Sequence, residues 1–388
     1  MRIAHVITRM IVGGAQENTL LCCQDLMRLH GDDVVLITGP SLGPEGDLLA
    51  EGRGGAVPVV RIAALRRAIH PGRDWQAYRA ILRALRDFRP EVVHTHSAKG
   101  GILGRRAASA LRVPVIVHTV HGAPFHAYQS GLAREVFRQC ERYAARQCHV
   151  LVSVADAMTD LLVQARVAPR EKFVTVYSGM DVAPFLQASQ HREATRARFA
   201  FAPDEIVIGK IARLFHLKGH DYLIEAARTA VERCPRVRFL LVGDGILREQ
   251  LQQQIDAAGL TRYFRFAGLV PPEEIPALIG AMDVLVHASL REGLARALPQ
   301  ALIAGKPVVS YDIDGAREVV RTGETGFLLP PQSIEPLAQA LVTLAEDPEL
   351  RERMGNRGRE LCREQFRHEN MTAQLRAIYL KVLSGKTV

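Results

Sequence analysis

The sequence predicts an α/β protein with two domains, each built on a parallel sheet, and three observations carry this prediction. Short runs rich in β-branched residues alternate with amphipathic runs of helical spacing, which indicates βαβ units. The alternation breaks once, after Phe185, and then resumes. The length of 388 residues exceeds one ordinary core and fits two domains. We expect two Rossmann-like halves with a cleft between them.

The first half contains strand-like runs separated by amphipathic stretches. Its predicted strands are residues 2–8, 33–38, 91–96, 113–120 and 149–154. Residues 76–88 carry apolar side chains on one face at helical spacing, namely Tyr78, Ile81, Leu82, Leu85 and Phe88. Pro90 ends this helix, because the residue before a proline is disfavoured in helical geometry.

The second half repeats the pattern after a polar interval. Its predicted strands are residues 206–211, 237–242, 264–267, 283–287 and 307–311. The interval, residues 186–204, is polar and helical, and we interpret it as a linker. The chain thus divides into a first domain (1–185), this linker, a second domain (205–365) and a final amphipathic helix (366–388).

Charge and cysteine content narrow the class of protein. The net charge of +9 predicts an anionic partner. Few aromatic residues and one Trp argue against a base-stacking surface, so we expect no nucleic acid. Six cysteines without CxxC spacing indicate a reduced, cytoplasmic chain with buried thiols. No apolar run is long enough to span a bilayer.

The most informative motif lies in residues 289–309. Glu292 stands at a turn with Gly293 and Leu294, an apolar helix follows, and Gly305-Lys306-Pro307 ends that helix before a buried strand. The block resembles the donor-sugar motif of retaining glycosyltransferases of the GT-B fold, family 4. In that motif two glutamates eight positions apart bind a nucleotide-sugar. Here Glu292 holds the first position and Gln300 the second.

The resemblance implies a fold and a reaction. The fold is GT-B: two Rossmann-like domains face each other across a cleft, and the C-terminal helix crosses back to the N-terminal domain. The N-terminal domain binds the acceptor and the C-terminal domain binds the nucleotide-sugar. The reaction moves a sugar from a nucleoside diphosphate with retention of the anomeric centre. Such enzymes need no metal and no cofactor beside the nucleotide-sugar.

Two cations follow the first strand of the second half. Arg213 and Lys218 share a loop beyond a strand's C-terminal end, where α/β folds bind ligands. An Arg fork and a Lys point charge together suit a diphosphate, although an ordinary surface loop has the same pattern. The segment resembles the Arg-Leu…Lys-Gly loop of the family. That resemblance assigns both residues to stabilisation of the leaving diphosphate.

Three further turns fit the donor. Gly13 and Gly14 join a strand to a helix, which makes either an anion site or a tight turn. The GxGxxG fingerprint is absent, which excludes a dehydrogenase of that class. In the family, the loop that corresponds to Gly13 and Gly14 faces the donor diphosphate or the acceptor. The loop that corresponds to Gly243-Asp244-Gly245 lies near the nucleotide base. In the family a further loop reaches the donor and ends in a glutamate, and Glu318 occupies that position in this chain.

The first half contributes basic residues. His94, His96, His118 and His121 end two strands, but no converging ligand set with a carboxylate or thiolate is in register, so we expect no metal site. The resemblance assigns His121 to contact with the transferred sugar and Lys99 to an acceptor phosphate. Arg66 and Arg67 lie in a basic loop, which we expect to contact a lipid or phosphate.

Gln300 leaves alternatives open. An amide accepts and donates hydrogen bonds, so contact with the ribose survives with a loss of about 1 kcal/mol.

We expect a retaining glycosyltransferase of bacterial surface polysaccharide or glycolipid assembly, which is cytoplasmic and docks on the anionic inner membrane face to reach a lipid-linked or glycan acceptor. The alternatives are a non-catalytic sugar-nucleotide-binding protein and a GT-B epimerase. Asp312 and Asp314 form a DxD lookalike in an ordinary Gly turn.

Overall fold

The computed structural model describes residues 1–43 and 46–386, except the side chain of Glu51, and has two compact units. The first unit comprises Met1–Met180 and Arg367–Val388, and the second comprises Asp181–Phe366. Each unit contains one parallel sheet covered by helices. The predicted α/β fold class with two Rossmann-like domains is therefore confirmed.

The first sheet has seven parallel strands in the order β3-β2-β1-β4-β5-β6-β7. They are β1 (Arg2–Arg9), β2 (Asp33–Gly39), β3 (Val59–Arg61), β4 (Val92–His96), β5 (Val115–Val120), β6 (Val150–Ser153) and β7 (Phe173–Thr175). The direction of strand order reverses between β1 and β4. Open α/β sheets bind ligands at the carboxyl ends of the strands beside such a reversal.

Five helices connect these strands. They are α1 (Gly14–His30), α2 (Pro71–Phe88), α3 (Ala98–Ala110), α4 (Gly131–Ala145) and α5 (Asp156–Gln164). The sequence determines the ends of α2 locally. Pro71 stands in its first turn, the His70 ring accepts a hydrogen bond from the Arg73 amide at 3.3 Å, and Arg89 ends it in a left-handed conformation before Pro90.

The second sheet has six parallel strands in the order β10-β9-β8-β11-β12-β13. They are β8 (Ile206–Ile211), β9 (Val237–Val242), β10 (Phe264–Gly268), β11 (Val284–His287), β12 (Val308–Tyr311) and β13 (Gly326–Leu329). Here the reversal lies between β8 and β11. The central strands are buried on both faces, as expected where helices cover both sides of a parallel sheet.

The helices of the second unit surround this sheet. They are α6 (Ala183–Leu186), α7 (Arg192–Arg198), α8 (His220–Arg233), α9 (Arg248–Ala257), α10 (Ile275–Ala281), α11 (Ala297–Ile303), α12 (Ile334–Glu346) and α13 (Pro348–Gln365). Leu337, Leu341 and Leu344 of α12 are buried in the core against β8 and β9 residues such as Ile208 and Phe239.

Residues 186–204, which we interpreted from the sequence as a linker, lie within the second unit. Arg192 and Arg196 form ion pairs with the two carboxylate oxygens of Asp283, at 2.6 and 3.0 Å. Gly280 packs so closely on the Ala188 carbonyl that a Cβ at Gly280 would lie 2.0 Å from it. Folding thus pairs two arginines of this polar segment with a carboxylate from a distant part of the chain.

The last helix, α14 (His368–Leu383), belongs to the first unit, as the predicted return of the chain requires. It packs on α1 with Leu375, Ile378 and Tyr379 buried in the first core. Asp25 accepts hydrogen bonds from His368 at 2.6 Å and from Thr372 at 3.0 Å. These polar contacts set the register of the helix on the unit.

Smaller expectations differ from the structure. The strands β3, β7 and β13 were missed, because edge strands of three or four residues leave no long apolar run in the sequence. Five cysteines are buried as expected, but Cys140 on α4 is exposed. Within residues 1–43 and 46–386, no helix combines the length and apolarity that crossing a bilayer requires.

Candidate active site

The reversal point of the second sheet brings a cation and a carboxylate together. Lys218 follows β8 and Glu292 follows β11, so both stand at the carboxyl ends of adjacent strands. The Lys218 ammonium donates a hydrogen bond to Glu292 Oε1. His287 Nε2 lies 3.5 Å from the same oxygen. The pair keeps about a fifth of each side chain exposed, 18% and 22%, so a ligand can reach it.

Glu292 is held as a carboxylate. Burial by itself raises the pKa of Glu292, but the Lys218 charge and the His287 ring together hold that pKa well below its usual range. Burial lowers the pKa of His287, so this ring is neutral near pH 7. A charged oxygen at this position accepts the stronger, charge-assisted kind of hydrogen bond from sugar hydroxyls.

The DxD lookalike supports the Glu292 turn. Asp314 Oδ2 accepts a hydrogen bond from the Glu292 amide at 2.7 Å. Asp312 instead forms a two-point ion pair with Arg317, at 2.9 and 2.8 Å. The two carboxylates therefore serve different partners, in keeping with our interpretation of this segment as a structural turn.

Arg213 shares the β8–α8 loop with Lys218, as the sequence indicated. Its guanidinium stacks on the Phe215 ring at 4.9 Å from the ring centre, and the residue is exposed. The loop thus presents two cations within one segment.

The predicted base-side loop packs on the same segment. The Leu214 amide donates to the Asp244 carbonyl at 3.0 Å, and the Gly245 amide donates to the Asp244 carboxylate at 2.7 Å. Gly243 has φ 129°, and a Cβ there would lie 2.2 Å from the Ala212 carbonyl oxygen. Gly243 is therefore required for the two loops to pack, whatever it contributes to a ligand.

The other predicted donor residues lie around the Glu292 turn. The Gly293 carbonyl accepts from the Gly315 amide at 3.0 Å, and Leu294 is buried. Gln300 lies in the first turn of α11 with 9% of its surface exposed. Glu318 ends a short 3-10 helix that follows β12. The structure places all four in the second unit, and their contacts with a donor stay predictions.

Sequence reasoning missed the buried polar groups behind this pair. Lys210, in the middle of β8, is fully buried, and its Nζ has no hydrogen-bond partner among the described residues. Burial and the nearby Lys218 charge lower the pKa of Lys210 to about 7. His220 is also buried, and burial lowers its pKa to about 2. A lysine inside an otherwise apolar strand was the signal available in the sequence.

The first unit places the predicted Gly13, Gly14 and Lys99 beside the reversal between β1 and β4. Gly13 precedes α1, and Lys99 stands in the first turn of α3. The Lys99 ammonium forms an ion pair with Asp74 at 2.6 Å and donates to the Ala68 carbonyl. Sequence reasoning missed Asp74, which lies 25 residues away. Lys99 therefore has two internal partners, and its contact with an acceptor phosphate stays a prediction.

Arg66 and Arg67 lie in an exposed loop before α2. Arg66 Nε donates to the Ala63 carbonyl at 3.1 Å within the loop. Two apolar side chains near them are also strongly exposed, Ile69 at 77% and Trp75 at 55%. The loop therefore combines positive charge with apolar surface.

Histidines converge in the first unit more closely than the sequence predicted. His94 and His96 of β4 meet His5 of β1, and the ligand nitrogens of the three lie within 4.8 Å of one another. The sequence had not indicated that three histidines converge, although their cluster contains no carboxylate or thiolate. His96 Nδ1 lies 3.1 Å from His121 Nε2 beyond β5. His5 was missed, although a histidine inside a buried strand was visible in the sequence.

A metal ion fits this histidine cluster poorly. His94 uses both nitrogens, with Tyr379 and with Thr119 at 2.7 Å. His5 and His96 are hydrogen-bonded to each other at 3.0 Å. A divalent ion would break these bonds and bring two charges into a fully buried site, and no carboxylate belongs to the cluster.

The two parallel-sheet units, with cations and a carboxylate at a strand-order reversal, have the architecture expected of a GT-B protein, and comparison with known families identifies the class. Residues 13–179 match the family of glycosyl transferase 4-like domains, and residues 191–361 match glycosyl transferases group 1. The chain belongs to the family 4 glycosyltransferases. The resemblance to family 4 glycosyltransferases of the GT-B fold is thereby confirmed.

Relatives cover most of the chain. The UDP-Gal:α-D-GlcNAc-diphosphoundecaprenol α-1,3-galactosyltransferase of Escherichia coli is 28% identical over 351 residues, which are 89% of this chain and 88% of the relative. The α-D-kanosaminyltransferase of Streptomyces kanamyceticus is 26% identical over 314 residues, 78% of this chain and 81% of the relative. The structure of HepE from Anabaena in complex with UDP-glucose has a TM-score of 0.81 at 22% identity, covering 97% of this chain and 99% of that one.

Proposed function

We propose that this glycosyltransferase moves a sugar from a nucleoside-diphosphate-sugar with retention at the anomeric carbon and without a metal ion. The observation that carries the proposal is the Lys218–Glu292 ion pair at the reversal of the second sheet, with Arg213 on the same loop. A nucleotide-sugar is supported by the E. coli relative, which is named for UDP-Gal, and by the HepE complex with UDP-glucose.

The charges of the site match the demands of this reaction. The bond from the anomeric carbon to the diphosphate breaks, and a bond to the acceptor oxygen forms on the same face. The acceptor proton passes to a leaving-phosphate oxygen. Negative charge therefore grows on the diphosphate, where Arg213 and Lys218 stabilise it. Glu292 accepts hydrogen bonds from sugar hydroxyls, and Gln300 contacts the ribose. The resemblance to the family assigns His121 to contact with the transferred sugar, and we adopt that role in this proposal.

The exposed basic loop points to the acceptor class. Arg66 and Arg67 carry positive charge beside the exposed side chains of Ile69 and Trp75. Cations beside apolar side chains bind anionic lipid surfaces. The E. coli relative is named for a diphosphoundecaprenol acceptor. We extend this to a lipid-linked acceptor for the present chain, reached from the inner face of the membrane in surface-glycan assembly.

Analysis of the reaction products also tests two alternative functions. A non-catalytic binding protein is suggested by Gln300 in place of a glutamate. An epimerase needs two acid/base carboxylates, and Asp314 does stand beside Glu292 with its pKa raised by burial. Asp314, however, is engaged with the Glu292 amide. A binder yields no product, and an epimerase yields a changed nucleotide-sugar without any acceptor.

The test begins with a thermal-shift screen of UDP-, GDP-, ADP- and dTDP-sugars, followed by transfer to lipid-linked sugar diphosphates in excess chelator. We expect a product whose anomeric configuration, measured by NMR, matches that of the donor. Lys218→Ala lowers kcat about a hundredfold, because the lost charge acts on the transition state. The exposed Lys381→Ala is the matched control. An inverted product, or activity that requires a divalent ion, contradicts the proposal.

A further inference from the structure

Three histidines of the first unit form one line of hydrogen-bonded rings. His5 Nδ1 lies 3.0 Å from His96 Nε2, and His96 Nδ1 lies 3.1 Å from His121 Nε2. The rings of His5 and His96 lie 12° from parallel with centres 5.3 Å apart, and those of His96 and His121 lie 29° from parallel with centres 5.4 Å apart, as in imidazoles that are hydrogen-bonded edge to edge. The line runs from the interior of β1 through β4 to the partly exposed residue beyond β5.

The inner rings of this line are neutral. His5 and His96 have no exposed surface. Burial lowers the pKa of His5 to about 3, and burial together with the neighbouring histidines lowers that of His96 well below its usual value. A neutral imidazole has one N–H donor and one bare acceptor nitrogen. Each inner ring therefore contributes one proton to the line.

One proton per ring couples the tautomers. If His96 Nδ1 donates to His121, then His96 Nε2 must accept from His5. If His96 Nδ1 instead accepts from His121, then His96 Nε2 must donate to His5. Both hydrogen bonds thus run the same way. When His121 is also neutral, all three rings carry the proton on the same kind of nitrogen, either all on Nδ1 or all on Nε2. The tautomer of the outermost ring is then tied to rings that solvent cannot reach.

The surroundings fix the line in place. His94 packs on His96 with ring centres 4.3 Å apart, and its own nitrogens bind Tyr379 of α14 and Thr119 of β5. His96 therefore has little freedom to rotate away from His121. The geometry accounts for four buried or half-buried histidines in one layer without a metal ion.

We propose that His5 and His96 are positioning residues that hold His121 in one ring orientation and one tautomer. This inference rests on the proposed function in one respect only, namely that His121 acts on the transferred sugar. A sugar hydroxyl can donate to or accept from an imidazole nitrogen, so a fixed tautomer decides which of the two the enzyme offers. Partners that fix the tautomer and orientation of metal-bound histidines affect activity ten- to hundredfold, and we expect an effect of about the same size for this histidine.

The first test is spectroscopic and needs no substrate. Side-chain ¹⁵N NMR at pH 8.5, with His121→Gln for assignment, should show His5, His96 and His121 in one shared neutral tautomer. In His96→Phe the His121 signal should move toward a mixture of both tautomers. In His96→Asn the shift should be smaller, because the amide can still hydrogen-bond to His121 from near the Nδ1 position. His118→Phe, a buried ring change on β5, is the matched control.

The second test measures turnover with the donor found in the nucleotide-sugar screen. His96→Phe should lower kcat at least tenfold with a smaller change in KM, and His96→Asn should recover part of the loss. Different tautomers in the three rings, or an unchanged His121 signal in His96→Phe, would overturn the inference. So would one equivalent of Zn²⁺ that shifts the signals of His5, His94 and His96 together. Full activity of His121→Gln would instead refute the proposed role of His121 in the reaction. The NMR result would then decide by itself whether the three rings share one tautomer.

Discussion

The buried Lys210 makes a prediction about stability and pH. Its side chain is fully buried, and burial with the Lys218 charge lowers its pKa from 10.5 to about 7, although Glu292 and Asp221 act in the opposite direction. Each pH unit between these two values corresponds to about 1.4 kcal/mol. Below pH 7 the buried ammonium thus costs the folded state about 5 kcal/mol relative to an exposed lysine.

The direction in which stability changes with pH follows from the number of protons that the folded and unfolded states bind. Between pH 7 and 10.5 the unfolded chain keeps a proton that the folded chain has released. The Lys210 contribution to stability is therefore most unfavourable below pH 7, improves as pH rises through this window, and disappears above it. Lys210→Met removes the titrating group and fills a similar volume. We expect the variant to be more stable than the wild type at pH 6, by an amount that shrinks toward pH 10.

The assay is differential scanning calorimetry of the whole chain at pH 6, 7.5 and 9. One kcal/mol shifts Tm by about 2–4 °C in a domain of this size. The Tm advantage of Lys210→Met should therefore fall by roughly 3–5 °C for each pH unit above 7. Lys381→Met, an exposed lysine in the last helix, should show no such trend. A Tm difference for Lys210→Met that is independent of pH would refute the assignment of a buried, titrating ammonium.

Two further predictions concern ligands. Gln300→Glu places a charged hydrogen-bond acceptor in α11. We expect this variant to bind the donor about 1 kcal/mol more tightly, or equally well, in a calorimetric titration. Loss of binding in a folded variant would mean that the pocket requires the amide. Arg66→Glu should weaken co-sedimentation with anionic vesicles at low salt, because each basic residue near such a surface contributes about 1 kcal/mol, while neutral vesicles are unaffected. The exposed Arg83→Glu, with the same charge change on α2, is the control, and equal effects of both variants would defeat docking through this loop.

Local signals in the sequence were sufficient for the architecture. Alternating strand and helix patterns predicted the central strands of both sheets, since these are apolar runs that need no partner to be recognised. The loop of Arg213 and Lys218 was identified from its position after a strand together with the family resemblance, and the turn of Glu292 was identified from that resemblance. The edge strands β3, β7 and β13 escaped, because their few residues become strands only by pairing with a neighbour.

By itself, the sequence determined the fold class, the family and the segments that bear the site, because each depends on residues close together in the chain. Tertiary structure decided which side chains meet. Arg192 and Arg196 pair with Asp283 across about 90 residues, which turned an apparent linker into part of a domain. His5 and His96 meet across 91 residues only because β1 and β4 are adjacent at the reversal of strand order. Contacts of this kind leave no spacing pattern, since parallel-sheet topology sets them through space.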